Sequence, residues 1–239
     1  MNEHFFHVQP EAIAQKKFSL SKEEGLHFLK SLRGEIGEQI WLLDAKGIAY
    51  LALVKDTSNG VVSGEITKTF PNYGESPNDI HLILGLIKGR RMDVAIEKAV
   101  EFGVKSIQPI IFERCIKKKL NLKRLNRVVV AAAKQSGRSY FPNLSEPLSF
   151  LEWTRRRFEG TTLVCHYSSD SYIHDLEFQD LRSVNVIIGP EGDFSPKELT
   201  VFQELKIPNV KLSPRRLRSE SACSAALNQI NQAYQIQNG

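Results

Sequence analysis

Two short stretches carry the residues best suited to chemistry. The first is "NVIIGPEGDFSPKEL" (185–199), in which an apolar run meets a Gly-Pro-Glu-Gly-Asp corner and then a helix start. Gly189 and Gly192 can adopt backbone angles closed to other residues and let a ligand approach the main chain, while Pro190 stiffens the bend. Ser195-Pro196-Lys197-Glu198 reads as a capping box with proline at the first helical position. Such a corner can be either a tight strand–helix connection or a ligand loop. It is neither a Walker loop nor a GxGxxG turn.

The second stretch is "LSPRRLRSESA" (212–222), which places Arg215, Arg216 and Arg218 just before a helix. Its helix start offers free N–H groups, capped by Ser219 or Glu220, and the arginines add a field suited to phosphate or another anion. Leu212 and Leu217 bracket the arginines, so the loop reads as partly packed down rather than as a freely solvated charge run.

A third feature is a basic helix over "LKRLNRVVVAAAKQSG" (122–137). At about 100° per residue, Lys134, Arg127 and Arg138 fall at about 20°, 40° and 60° from Lys123, while Leu122, Leu125, Val129 and Ala133 lie opposite. Lys117, Lys118 and Lys119 extend the stripe upstream, and no acidic residue occurs from 117 to 140. A polyanion, above all a phosphate backbone, explains such a stripe better than a solvated face does. His166 follows a strand and can line a crevice, but no histidine pair has metal-ligand spacing and no G-x-S-x-G elbow is present.

The elements that must position these loops follow from the pattern. "IHLILGLI", "SIQPIIF", "TTLVCHY", "VNVIIG" and "NVKL" read as strands. They alternate with helices over "RMDVAIEKAVEFGV", the basic segment, "SPKELTVFQEL" and "SACSAALNQINQAYQ", which predicts an α/β domain with a largely parallel sheet. Ligands in such sheets bind beyond the carboxyl ends of strands, which singles out the loops at 165–170, 189–195 and 213–219. Before residue 70, "EQIWLLD", "GIAYLALVKD" and "VVSGEITKTF" read as the short strands of a small barrel or sandwich, with a helix at 21–33 capped by Ser21 and Glu24. "PNYGESPND" (71–79) reads as a linker.

Composition bounds the rest. The 239 residues carry a net charge of +5. No apolar run approaches a membrane span, and the first residues lack the order of a signal peptide. The three cysteines, Cys115, Cys165 and Cys223, are scattered and odd in number, as expected of cytoplasmic thiols rather than a disulfide framework.

The paired stretches "IIGPEGDFSPKEL" and "LSPRRLRSESACSAAL" resemble the C-terminal motifs of the RsmE family. These are S-adenosylmethionine-dependent enzymes of the SPOUT superfamily that methylate N3 of a uridine in 16S rRNA. "HFLKSLRGEIGEQI", "IKGRRMDVAIEKAVEFGVKSIQPI" and "AAAKQSGRSYFP" resemble further family segments in the same order. The resemblance implies a PUA-like β-barrel RNA-binding domain over 1–72 and a SPOUT methyltransferase domain over 73–239, an α/β parallel sheet with a C-terminal trefoil knot. It also implies that Cys165, His166, Gly189, Glu191, Gly192, Leu212, Ser213 and Leu217 hold the methyl donor, and that Arg218 and Glu220 face the target base. By the same resemblance Gln135 and Arg138 lie near that base, and Arg33 helps Lys123, Arg127, Lys134 and Arg215 grip the RNA. A cytoplasmic homodimer acting on the assembled small subunit is the expected working form. A SPOUT enzyme with another target, such as a ribose 2′-hydroxyl, and a non-catalytic rRNA-binding protein are the alternatives. Asp193 departs from the family pattern, standing where a second glycine is usual.

Overall fold

The computed structural model describes residues 4–157, 159–176 and 180–238. The chain forms two compact units, one of Met1–Glu75 with Val130–Phe141 and one of Ser76–Val129 with Pro142–Gly239.

The first unit is built on a six-stranded sheet of β1 (Phe5–His7), β2 (Ile13–Ala14), β3 (Lys17–Ser19), β4 (Gln39–Leu43), β5 (Ile48–Asp56) and β6 (Ser63–Pro71). The order is β1-β4-β5-β6-β3-β2, with only β1 and β4 parallel. Alternation along the strands sends Phe6, Phe18, Ile40, Leu42, Ala52 and Val54 into one core around Phe28. Irregularities at Leu51/Ala52 and Val54/Asp56 bend the long hairpin. Among the described residues the edge strands β1 and β2 do not pair with each other, so the sheet is a curled half-barrel rather than a closed barrel. The short N-terminal strands were not anticipated, because two or three residues are too few to display a period.

The expected helix at 21–33 is α1 (Lys22–Leu26), continued by a wider π-helical turn at His27–Ser31. Ser21 Oγ accepts the Glu24 N–H at 3.3 Å, but the reciprocal half of the capping box is missing. The Glu24 carboxylate turns instead to Lys134, with both oxygens 2.7 Å from Nζ, and accepts the His7 N–H at 3.3 Å.

Lys134 sits in the last turn of α3 (Leu122–Gln135). Gly137 ends that helix at φ +68°, donating to the Lys134 carbonyl, while the Arg138 N–H reaches the Ala133 carbonyl at 2.9 Å. This Schellman closure reverses the chain, so the helical projection stops before Arg138.

The second unit holds a parallel sheet of β7 (Asp79–Gly85), β8 (Ser106–Ile111), β9 (Asn143–Leu144), β10 (Leu148–Ser149), β11 (Thr161–Cys165), β12 (Ser183–Ile188) and β13 (Asn209–Val210). Its order is β10-β8-β7-β12-β11-β13, with β9 also on β8. The central strands β7 and β12 are apolar almost throughout, as strands covered on both faces must be. Their cover comes from α2 (Arg90–Glu101), the short α4 (Phe150–Thr154), α5 (Pro196–Glu204) and α6 (Ser219–Asn238). Phe112, Phe150, Trp153, Phe194 and Phe202 interlock at ring separations of 5.0–6.2 Å to fill one side of this core. After β13 at the sheet edge the chain crosses back, and α6 packs against α2 and the turn at Ile173–Asp175. This parallel sheet, separate from the curled sheet of the first unit, is the α/β arrangement expected from the sequence.

Candidate cofactor and RNA site

The carboxyl ends of β11 and β12 and the exit from β13 converge on one cavity of about 410 Å3. Cys165, His166, Gly189, Glu191, Leu212, Ser213 and Leu217 all line it. Gly192 does not: a Cβ there would lie 2.9 Å from the Arg114 Cβ, and Arg114 Nη1 donates to the Gly192 carbonyl at 3.2 Å. That glycine serves the close approach of the Arg114 main chain behind the corner. The walls also include Arg91, Ile188, Asp193 and Arg216. Arg91 follows the carboxyl end of β7, and the strand-end rule that selected the other loops selects this one too.

The corner is tightly specified. The Asp193 N–H donates to the Pro190 carbonyl at 3.0 Å, closing a four-residue turn. Asp193 has φ +62°, a left-handed backbone that glycine adopts freely and that Asp reaches more readily than most residues. Its Oδ1 accepts the Phe194 N–H at 2.9 Å, and its Oδ2 stands 3.5 Å from His166 Nε2. Behind the corner, Gly85 ends β7 so close that a Cβ would sit 2.5 Å from the Pro190 nitrogen. In front of it, Glu191 Oε1 accepts the Lys88 N–H at 2.8 Å and lies 3.8 Å from Arg91 Nη1. Both halves of the expected Ser195–Glu198 capping box are formed, fixing the helix that leaves the corner.

The opposite wall is held by α6, whose Gln229 Nε2 donates to the Leu212 carbonyl at 2.9 Å. Ser213 Oγ accepts the Arg215 N–H at 3.2 Å, shaping the arginine loop. Burial pushes the thiols of Cys165 and Cys223 far above the usual thiol range, so both act as small packing groups rather than nucleophiles. Glu220, in the first turn of α6, keeps Oε2 buried with no hydrogen-bond partner among the described residues.

The charges divide into two kinds. Arg215, Arg216 and Arg218 are exposed, with no ion-pair partner among the described residues, and all three line the cavity. Lys123, Arg127 and Gln135 are exposed along α3, and Arg33 is exposed in the first unit. Lys134, by contrast, is half-buried and Arg138 is buried. Lys134 is held by Glu24, and Arg138 is 2% exposed, with Nη2 2.7 Å from Glu75 Oε2. The expected stripe therefore loses Arg138, which lies beyond the end of the helix, and Lys134 is neutralised by a carboxylate distant in sequence.

A family model for an RNA methyltransferase domain matches residues 74–231. The crystal structure of a ribosomal RNA small subunit methyltransferase E from Neisseria gonorrhoeae, bound to S-adenosyl methionine, is 30% identical with a TM-score of 0.89, the match covering 97% of this chain and 98% of that one. The chain belongs to the RsmE family of RNA methyltransferases. A Legionella pneumophila putative methyltransferase, solved with the cofactor SAM bound, is also 30% identical, with a TM-score of 0.87 and coverage of 98% of both chains. The Ribosomal RNA small subunit methyltransferase E of Synechocystis is 29% identical over 232 residues, covering 94% of this chain and 76% of its own. This RsmE-family chain thus matches its relatives across both units.

Proposed function

We propose that this protein transfers a methyl group from S-adenosylmethionine to N3 of a uridine in the 16S rRNA of the small ribosomal subunit. The observation that carries the reading is the strand-end cavity lined by three arginines with no ion-pair partner among the described residues, in a chain aligned with RsmE relatives over nearly its whole length.

The residues fit the donor. The cavity volume of about 410 Å3 is in the range of cofactor sites, its apolar walls include Ile188, Leu212 and Leu217, and main chain at Gly189 and Pro190 borders it. Cys165, His166, Gly189, Glu191, Leu212, Ser213 and Leu217 are assigned to the donor, with Gly192 acting from behind the corner.

S-adenosylmethionine supplies an electrophilic methyl group on a sulfonium, so transfer forms the N3–C bond as the S–C bond breaks, sulfur keeps the electron pair, and the N3 proton leaves. The protein's share is position, charge and proton transfer. The free guanidinium of Arg218 stabilises negative charge on the uracil carbonyls as N3 loses its proton. Glu220 Oε2, buried with no donor among the described residues, accepts that proton. Arg215, Lys123 and Arg127 neutralise RNA phosphates, with Gln135 and Arg33 as further contacts. Residues 1–72 serve as the RNA-gripping module and 73–239 as the methyltransferase domain, a division supported by the family match beginning at residue 74. The protein works in the cytoplasm as a homodimer on the assembled subunit, a reading supported by the family resemblance.

The deciding experiment is mass spectrometry of small-subunit rRNA nucleosides from a strain lacking the gene. N3-methyluridine should disappear and return on complementation. Its persistence overturns the target, and loss of a ribose 2′-O-methyl group instead identifies a different SPOUT substrate. Absence of heat on titration with S-adenosylmethionine identifies a non-catalytic RNA-binding protein.

A further inference from the structure

Asp193, at the corner after β12, lines the donor cavity with a charge. Four arginines, Arg91, Arg215, Arg216 and Arg218, line the cavity, against two carboxylates, Glu191 and Asp193. S-adenosylmethionine carries a sulfonium and an ammonium beside its carboxylate; the arginines can meet the carboxylate, whereas the sulfonium, the one charge lost on methyl transfer, calls for an anionic neighbour. Glu191 is already engaged by the Lys88 N–H at 2.8 Å and by Arg91 at 3.8 Å. Asp193 commits only Oδ1, to the Phe194 N–H. Its Oδ2 has His166 Nε2 at 3.5 Å, at the limit of a hydrogen bond, and the side chain is 30% exposed. Oδ2 is thus the carboxylate oxygen available to a cationic ligand.

We infer that Asp193 is a specificity-determining residue of the donor site, whose carboxylate favours the sulfonium form of the cofactor over the neutral-sulfur product S-adenosylhomocysteine. The inference rests on the donor reading above. The backbone accounts for how an aspartate is tolerated here: its φ of +62° is one that Asp and Asn reach more readily than most residues, and the Oδ1 bond to Phe194 anchors it locally. A charge that recognises substrate more strongly than product also speeds product release, since the attraction ends when the methyl group leaves.

The test is calorimetric titration of the full chain, wild type, Asp193→Asn and Asp193→Gly, with S-adenosylmethionine and separately with S-adenosylhomocysteine. Asparagine keeps the shape and the left-handed backbone while removing the charge, and glycine removes the side chain without backbone strain. Both variants should lose affinity for S-adenosylmethionine roughly two- to fivefold, the effect of one partly exposed charge contact, with S-adenosylhomocysteine nearly unchanged. An equal loss for both ligands, or no loss for either, overturns the inference. Wild-type protein that binds neither ligand overturns the donor reading itself.

Discussion

The Arg138 guanidinium is fastened to the Glu75 carboxylate, Nη2 to Oε2 at 2.7 Å, with both side chains 2% exposed. Glu75 also accepts the Tyr140 N–H at 2.9 Å, so one carboxylate organises the reversal that follows α3. Removing the carboxylate takes the counter-charge from a buried guanidinium and an acceptor from the Tyr140 N–H. Glu75→Ala should therefore cost roughly 3–5 kcal/mol, read by urea denaturation of the purified protein. A variant with wild-type stability would show that the charge finds another partner.

RNA binding should weaken steeply with salt, in proportion to the phosphates neutralised. Lys123→Ala and Arg127→Ala should each lower the slope of log affinity against log salt by about 0.7–0.9, measured by filter binding or fluorescence anisotropy. Lys134→Ala should change the slope little, because its charge is already met by Glu24 at 2.7 Å.

Arg218→Ala should reduce methylation of small-subunit particles roughly a hundredfold or more while leaving calorimetric binding of S-adenosylmethionine close to wild type. Glu220→Gln keeps the shape of the first turn of α6 and removes the proton acceptor. It should depress the single-turnover rate and leave substrate affinity largely unchanged. Full activity in either variant would remove that residue from the chemistry.

Stability should fall in mild acid. Burial lowers the pKa of His7 and His81 from the ordinary 6.5, so the folded state prefers the neutral rings, with His81 Nδ1 2.8 Å from Ser106 Oγ. Below about pH 6.5 the unfolded chain binds more protons than the folded one, and the contribution is lost as pH falls through the depressed folded values. Thermal melts at pH 7.5 and 5.5 should differ in that sense, and the gap should narrow in the His7→Gln/His81→Gln double variant.

The sequence was most legible where many residues repeat one physical rule. The strand–helix alternation after residue 80, the half-barrel strands β4 to β6 and the Ser195 capping box all follow from local pattern. The two catalytic-domain loops could be placed beside each other because ligand crevices form at strand ends. Pairings across long separations were not legible. Nothing near Glu24 indicates that its partner is Lys134, 110 residues away, so a capping-box reading was the natural local one. Arg138 was misplaced because a helical projection was carried past Gly137, whose φ of +68° ends the helix. Arg91 lies past the carboxyl end of β7, so the strand-end rule reaches its loop, but that it shares a cavity with the β12 corner depends on β7 neighbouring β12.

Gly85 has a consequence for how the pocket can change over time. It lies opposite the Gly-Pro corner on the neighbouring strand, and a single added carbon would press on the Pro190 nitrogen at 2.5 Å. The position of the corner is therefore set from outside the cavity's own lining, by the absence of a side chain on β7. Any side chain at position 85 would have to move the Gly189–Pro190 main chain that borders the ligand, so this strand end is closed to change for a reason no lining residue displays.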